Sequence, residues 1–375
     1  MIQRATIIPC IRLPRHLGFF DYTFDTDTIG DLLPGTFVEI PFRHKTIVGV
    51  VVHTASDQIT PKLKAVIHTR PDLTSLPNEE ITYILATAQW YCVSPATILR
   101  IAFPTPLTKQ SKQKSTVSVV APPKTRRQLP LETSVRPTLF HYQSEKDCVE
   151  LYHSLIQTSR KKKEPLIIIT PNDERTAHLA ALLSKNKDII ISRADDGLRA
   201  TRLMRTMATN GTCVVLIGTR HLLATPFKNL HTIIVDQSEH RNHKLHEGSP
   251  LIDSCSSAYH KAQSYRARLI YTSCAPRLEE YSYIPCTHPK TPYTFSPTII
   301  SLHDEFRGGN TSHVSERLQE EIAACLKRNE DVVLSLNHTG MSKYIQCKGC
   351  KTVFTCPDCN EPLRYTQRDQ KLMCP

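Results

Sequence analysis

The chain has 375 residues, 40% of them hydrophobic, enough for two or three domains with cores of their own. No apolar run reaches the length of a bilayer span, and the start, Met-Ile-Gln-Arg-Ala-Thr, lacks a signal peptide's charged-then-apolar pattern. That argues against membrane and secreted classes and for the cytoplasm. The net charge of +12 is unevenly placed: residues 108–130 carry six basic and no acidic side chains, half of the excess on one short segment. Such a segment suits either phosphate binding or a soluble linker.

Two β-branched runs open the chain, Phe37–Phe42 and Ile47–Val52, separated by the polar tetrapeptide Arg43–Thr46 at hairpin spacing, with Gly35 marking a turn before them. From Leu76 to Val93 the period becomes helical. Asn78 is placed to cap, Glu79 and Glu80 fill the first turn, and Pro95 is expected to end the helix. A β-rich domain closed by one helix is therefore expected over 1–104. Residues 105–136 read as a basic linker with one short strand-like run, Thr116–Val120.

Apolar β runs then alternate with helical stretches: Leu166–Ile169, Ile189–Ile191, Val214–Ile217, Thr232–Val235 and Leu269–Tyr271, with helices such as Glu174–Lys185 and Gly197–Ala208 between them. This is the pattern of a parallel sheet with crossover helices, expected over 137–300. A further helix (Ser315–Arg328) and strand (Asp331–Leu336) lie within 301–345, ahead of a cysteine-rich segment, 346–375.

Ligands bind at the ends of strands in such sheets. Three ends carry polar residues: Gly218-Thr219-Arg220, Asp236 and Thr272-Ser273. A nucleotide-hydrolysing lobe also needs a glycine-rich phosphate loop ending in Lys-Ser/Thr, because only glycines let backbone N–H groups close around phosphate. No glycine occurs between Gly49 and Gly197, and the one candidate, around Lys146, has Asp147 in place of the hydroxyl. The water-polarising carboxylate expected after Asp236 is Gln237, an amide that cannot serve as a base. ATP hydrolysis is not expected.

Cys347-x-x-Cys350 is followed five residues later by Cys356-x-x-Cys359, and then by Cys374. Two CxxC pairs this close are the ligand pattern of Zn²⁺, which takes four soft ligands in a tetrahedron. Five cysteines can close one Cys₄ site but not two, and Cys374-Pro375 reads as the first half of another pair, as in a fragment of a two-zinc module. The other eight cysteines are scattered singly, which suits a reducing compartment.

Taken in order, several of these segments resemble the PriA family, bacterial replication-restart helicases. The residues concerned are Leu13-Pro-Arg15 with Phe20-Asp21-Tyr22, Val38–Phe42, Leu63–Val66, Trp90-Tyr91, and Ala102-Phe-Pro104. Gly218–Arg220, Val235-Asp236, Glu247-Gly248, Thr272-Ser273 with Pro276–Glu279, and Leu336-Asn337 with Gly340 continue the match. The resemblance implies a multidomain architecture. A 3′ DNA-binding domain (1–104) and basic linker (105–136) precede a degenerate RecA-like helicase lobe (137–300), the start of a second lobe (301–345) and a partial zinc module (346–375).

It further implies that Asp21 accepts from the terminal 3′-OH of a nascent strand at a fork. Phe20 and Tyr22 would wall the pocket and stack on the last base, and Lys64 would face phosphate. Where the family has glycine after Pro-Phe, this chain has Arg43. The implied partners are forked DNA, single-stranded-DNA-binding protein and primosome loaders. The expectation is a DNA-binding protein with an inactive ATPase lobe; the other reading is a 3′→5′ helicase whose second lobe lies elsewhere, and a zinc scaffold without DNA binding is a third.

Overall fold

A computed structural model describes residues 2–56, 63–104, 135–183, 189–193, 196–212, 214–245, 249–287, 296–310, 312, 314–335, 345–347, 349–366 and 371–374. It forms two compact units, residues 1–292 and 293–375. The run Thr116–Val120, the pair Glu247-Gly248 and the stretch from Leu336 to Gly340 lie outside the described residues.

The first unit holds two sheets. One is antiparallel: β1 (Ile2–Pro9), β2 (Phe20–Asp25), β3 (Phe37–Phe42), β4 (Lys45–Ala55) and β5 (His68–Thr69), in the order β2-β1-β4-β3-β5, with a short helix α1 (Thr26–Ile29) after β2. The segment before β5 closes this sheet on itself. Thr23 N–H donates to Lys64 O and Val66 N–H to Thr23 O, while Ile67 N–H donates to Glu39 O, so one segment joins β2 to β3. Alternation does the rest: Ala5, Ile7, Tyr22, Phe24, Val38, Ile40 and Val51 point inward as one cluster.

The opposite face, with Ile8, Phe37 and Val50, packs under helices α2 (Asn78–Trp90) and α3 (Pro95–Ala102). Gly35, at φ 90°, sits where a Cβ would meet Leu76 O at 2.0 Å, so glycine is required at that crossing.

Four local expectations are corrected. The β3–β4 turn is two residues, Arg43-His44, because Phe42 pairs with Lys45. Asn78 is the first helical residue, and Pro77 stands at the cap position without a side-chain bond. Pro95 begins a helix, capped by Ser94 Oγ on Ala96 N–H, so two helices close the domain; proline lacks the N–H that a first-turn residue leaves unpaired anyway. Residues 331–335 form no strand.

The second sheet is parallel throughout: β6 (Thr138–His141), β7 (Leu166–Ile169), β8 (Ile189–Ser192), β9 (Val215–Gly218), β10 (Thr232–Asp236), β11 (Arg268–Ser273) and β12 (Cys286–Thr287), in the order β12-β6-β11-β10-β7-β9-β8. Helices α4 (Glu145–Lys162), α5 (Asp173–Leu182), α6 (Leu198–Asn210), α7 (Ser254–Tyr265) and α8 (Leu278–Tyr283) connect or flank the strands. Every side chain of β7, β9 and β10 is buried, as a sheet covered on both faces demands.

The two sheets are joined by α2 against α7. Lys261 Nζ donates to Glu80 Oε2 at 2.8 Å and to the carbonyls of Leu223 and Thr225 at 2.9 and 2.8 Å, and both charged side chains are fully buried. Tyr265 Oη donates to the same Glu80 oxygen at 2.6 Å. Farther along, Tyr91 Oη takes the Asp253 N–H at 2.8 Å and Trp90 lies against His260.

The second unit contains α9 (Leu302–Arg307), α10 (Glu316–Lys327) and an antiparallel pair, β13 (Arg364–Thr366) with β14 (Lys371–Met373).

Candidate nucleic-acid interface

Strand β2 presents two faces. Asp21 is exposed and sits opposite Thr6 of β1, whose hydroxyl donates to Asp21 Oδ1 at 2.7 Å; Arg4 Nη1 lies 3.8 Å from Oδ2. A carboxylate has about four acceptor positions, so these contacts leave room for a further hydroxyl. Phe20 and Tyr22 point the other way. Phe20 meets Phe42 edge-on at 5.2 Å, and Arg43 stands over the Phe42 ring.

Tyr22 is 4% exposed and its hydroxyl donates to Pro41 O; burial pushes that phenol above its ordinary value. This corrects the expected stacking role: Tyr22 is core and offers no face to a base. Arg43 has φ 55°, the left-handed region that glycine occupies without strain. Lys64 is exposed, and its carbonyl pairs with Thr23 beside Asp21. Arg4 and Thr6 were not singled out in the sequence; the register of β1 on β2 brings them here, and ring packing brings Phe42 to Phe20.

At the carboxyl edge of the parallel sheet, Asp236 is fully buried. Arg175 from α5 clamps it through Nε at 2.8 Å and Nη2 at 3.3 Å, and Tyr152 Oη donates to it at 2.5 Å. The same Tyr152 oxygen lies 2.6 Å from Thr272 Oγ1, so two predicted strand-end residues do meet, through a tyrosine the sequence did not mark. Arg175 also pairs with Glu145, which holds that carboxyl below its usual range.

Where a phosphate loop would sit, three residues link β6 to α4. Ser144 and Asp147 close a capping box there, so the N–H groups of Ser144 and Asp147 are already used. Lys146 is not brought to Asp236; its side chain is 83% exposed and its partner is Glu150. Gln237, at φ 51°, follows Asp236 in a left-handed turn.

The other strand-end residues have structural partners. A Cβ on Gly218 would meet Ser192 O at 2.4 Å, so that glycine answers to strand packing. Thr219 Oγ1 bonds His221 Nδ1 at 2.9 Å, Ser273 Oγ accepts from Ala275 N–H, and Arg220 is exposed.

In the second unit both CxxC pairs fold as the same knuckle. Cys347 N–H donates to Thr352 O and Lys351 N–H returns to Cys347 O; Cys356 N–H donates to Glu361 O and Asn360 N–H returns to Cys356 O. Lys351 and Asn360 both take φ 61°. The sulfurs of Cys356, Cys359 and Cys374 lie within 4.8 Å of one another. The closure of the two CxxC pairs on each other, allowed by spacing, is not the grouping found: Cys374 joins the second pair.

Tetrahedral Zn²⁺ with Zn–S of about 2.3 Å needs sulfurs about 3.8 Å apart, so three ligands fit. Hydrogen bonds from the Cys359 and Asp358 amides bring the Cys356 thiol down to about 7. Cys374, hydrogen-bonded to Cys359 and Cys356, is pushed up to about 12, a cost that a bound cation would remove.

A family model described as 3′DNA-binding domain (3′BD), of PriA, matches residues 10–104. The chain is PriA-like. It is 28% identical over 170 residues to replication restart protein PriA of Bacillus subtilis (strain 168), covering 43% of this chain and 21% of that one. With PriA of Rickettsia conorii (strain ATCC VR-613 / Malish 7) it shares 24% over 374 residues, 94% of this chain and 57% of the relative. With PriA of Helicobacter pylori (strain ATCC 700392 / 26695) it shares 23% over 361 residues, 91% and 54%. The chain thus spans about half the length of the PriA relatives it matches most fully. Among the described residues no helix is long and apolar enough to cross a membrane.

Proposed function

We propose that this PriA-like chain binds forked DNA by the 3′ end of the nascent strand, in replication restart, and that its RecA-like lobe does not hydrolyse ATP. The observation that carries the first half is Asp21, exposed on β2 inside the span matched by the 3′DNA-binding domain, with acceptor capacity to spare. A carboxylate attracts a terminal hydroxyl and repels a terminal phosphate, so it distinguishes an extendable end from a blocked one. Phe20 and Phe42 supply apolar surface on the other face of β2, and Arg43 and Lys64 supply charge for the backbone phosphates.

The second half is supported by the surroundings of Asp236. A Mg²⁺ ion there would have to displace Arg175 from a carboxylate that is fully buried, and Gln237 supplies no base. The phosphates would meet a helix start capped by Ser144 and Asp147, with the carboxyls of Glu145 and Asp147 in its first turn. The helicase reading, with a second lobe elsewhere, would require this packing to come apart. Zn²⁺ held by Cys356, Cys359 and Cys374, with a second ion at Cys347 and Cys350, would rigidify the cysteine module, and its role is structural. Single-stranded-DNA-binding protein and primosome loaders are the protein partners this reading carries with it.

The test is fluorescence anisotropy with forks whose leading strand ends in 3′-OH or 3′-phosphate. A hydrogen bond to a charged group is worth about 1.5–3 kcal/mol, so the hydroxyl end should bind roughly ten-fold or more tightly, and Asp21→Ala should erase the difference. Equal binding of the two ends by the wild type refutes the end-reading. DNA-stimulated phosphate release from ATP that Asp236→Asn abolishes refutes the inactive lobe.

A further inference from the structure

We infer that the amino-terminal edge of the parallel sheet, the side away from Asp236, is a second nucleic-acid surface that grips duplex phosphates without regard to strand ends. In a βαβ fold every crossover helix returns its C-terminus to this edge. Here the returns after α4 and α7, and the entry to β6, carry cations. Lys161, Lys162 and Lys163 close α4; Arg266 follows α7 and Arg268 opens β11; Arg136 leads into β6. All six are exposed, and Glu164 is the one acid in these connections, where it faces His231 at 3.4 Å.

The sheet register sets them side by side. Ile270 pairs with Thr138, which places Arg268 level with Arg136 across β11 and β6. Thr232 pairs with both Arg268 and Leu166, so the same row continues through β10 to the residues that end α4. Adjacent strands lie about 4.8 Å apart, so the row from β6 to β7 is about 14 Å wide. Duplex DNA carries one negative charge per roughly 1.7 Å of axis with both strands counted, so about eight lie along that length, and a surface on one side faces a part of them.

One or two cations at a helix C-terminus are explained by the helix dipole alone. Six cations across four neighbouring strands, opposed by one paired carboxylate, exceed that need. Lys161, Lys162 and Arg268 are engaged in no ion pair among the described residues. The occupant is a polyanion of regular spacing, and with a 3′DNA-binding domain on the same chain we assign it to a duplex arm. The inference does not rest on the 3′-end reading, because the surface has no feature that recognises a terminus.

The experiment uses the full chain and a dumbbell duplex closed by loops at both ends, which has no 3′ end to read. Binding is titrated between 50 and 200 mM salt for the wild type, for Lys161→Ala/Lys162→Ala/Arg268→Gln, and for a linker variant, Lys124→Gln/Arg126→Gln/Arg127→Gln. Circular dichroism and thermal melting establish that each is folded. Each lost phosphate contact lowers the slope of log Kobs against log salt by about 0.9. The edge variant should lose two to three units of slope and at least ten-fold in affinity at the lowest salt. Three results overturn the inference: no binding of the dumbbell by the wild type; an unchanged slope in the edge variant while the linker variant loses it; or loss of binding to anionic phospholipid vesicles in the edge variant with the dumbbell affinity intact.

Discussion

Replacing Lys261 with methionine would keep the packing of the aliphatic stem against Tyr83, Phe227 and Tyr265 while deleting the ammonium. Burial lowers the proton affinity of that amine, and Glu80 opposes the effect. What remains after the change is a buried Glu80 carboxylate with the Tyr265 hydroxyl on one oxygen, and the carbonyls of Leu223 and Thr225 without their donor. Removing one partner of a buried pair costs about 3–5 kcal/mol, and each orphaned carbonyl adds about 1 kcal/mol.

The expected loss is therefore about 5–7 kcal/mol, a large part of a domain's total of roughly 5–15. Glu80→Gln/Lys261→Met removes the stranded charge as well and should recover about 2 kcal/mol. Urea unfolding followed by circular dichroism reads both values. If Lys261→Met lies within about 1 kcal/mol of the wild type, or if the double variant is no better than the single, the contact does not hold the two sheets together and the reasoning fails.

Two further outcomes follow from the same kind of argument. Purified protein should carry zinc, and Cys356→Ser and Cys374→Ser should each release one equivalent in a colorimetric chelator assay; unchanged metal content in both variants would remove the triad as a site. Arg70 donates two 2.7 Å hydrogen bonds to Asp72, and they hold that carboxyl below its ordinary 3.8. A depressed folded value stabilises the protein above the unfolded one and loses that effect as the pH falls through it. The urea midpoint should thus drop as the pH is lowered from 5 to below 3, and drop less in Asp72→Asn; an equal drop in both would be against it.

Much of the parallel sheet was legible because its strands are unbroken runs of Ile, Leu and Val; Leu166–Ile169 is predicted to the residue. Thr138–His141 and Cys286–Thr287 were not, since four and two residues of mixed type carry no period. Glu80 reads as an ordinary first-turn acid, and only the fold brings it to Lys261, 181 positions away. The clamp on Asp236 is equally invisible, its partners lying 61 and 84 residues off. Tyr22 differs: strand alternation alone sets it opposite Asp21, so the sequence held the signal that the two do not share a pocket.

The seal between α2 and α7 has a consequence for any partner that touches both sheets. A hinge there would let each sheet find its own contact, at the cost of ordering the pair on every encounter. With Glu80 locked to Lys261 and Tyr91 locked to Asp253, the separation and angle between the two surfaces are set before a partner arrives. Such a fixed opening would favour shapes whose two arms match it, and the entropy of ordering the two sheets against each other would not be charged to the fit.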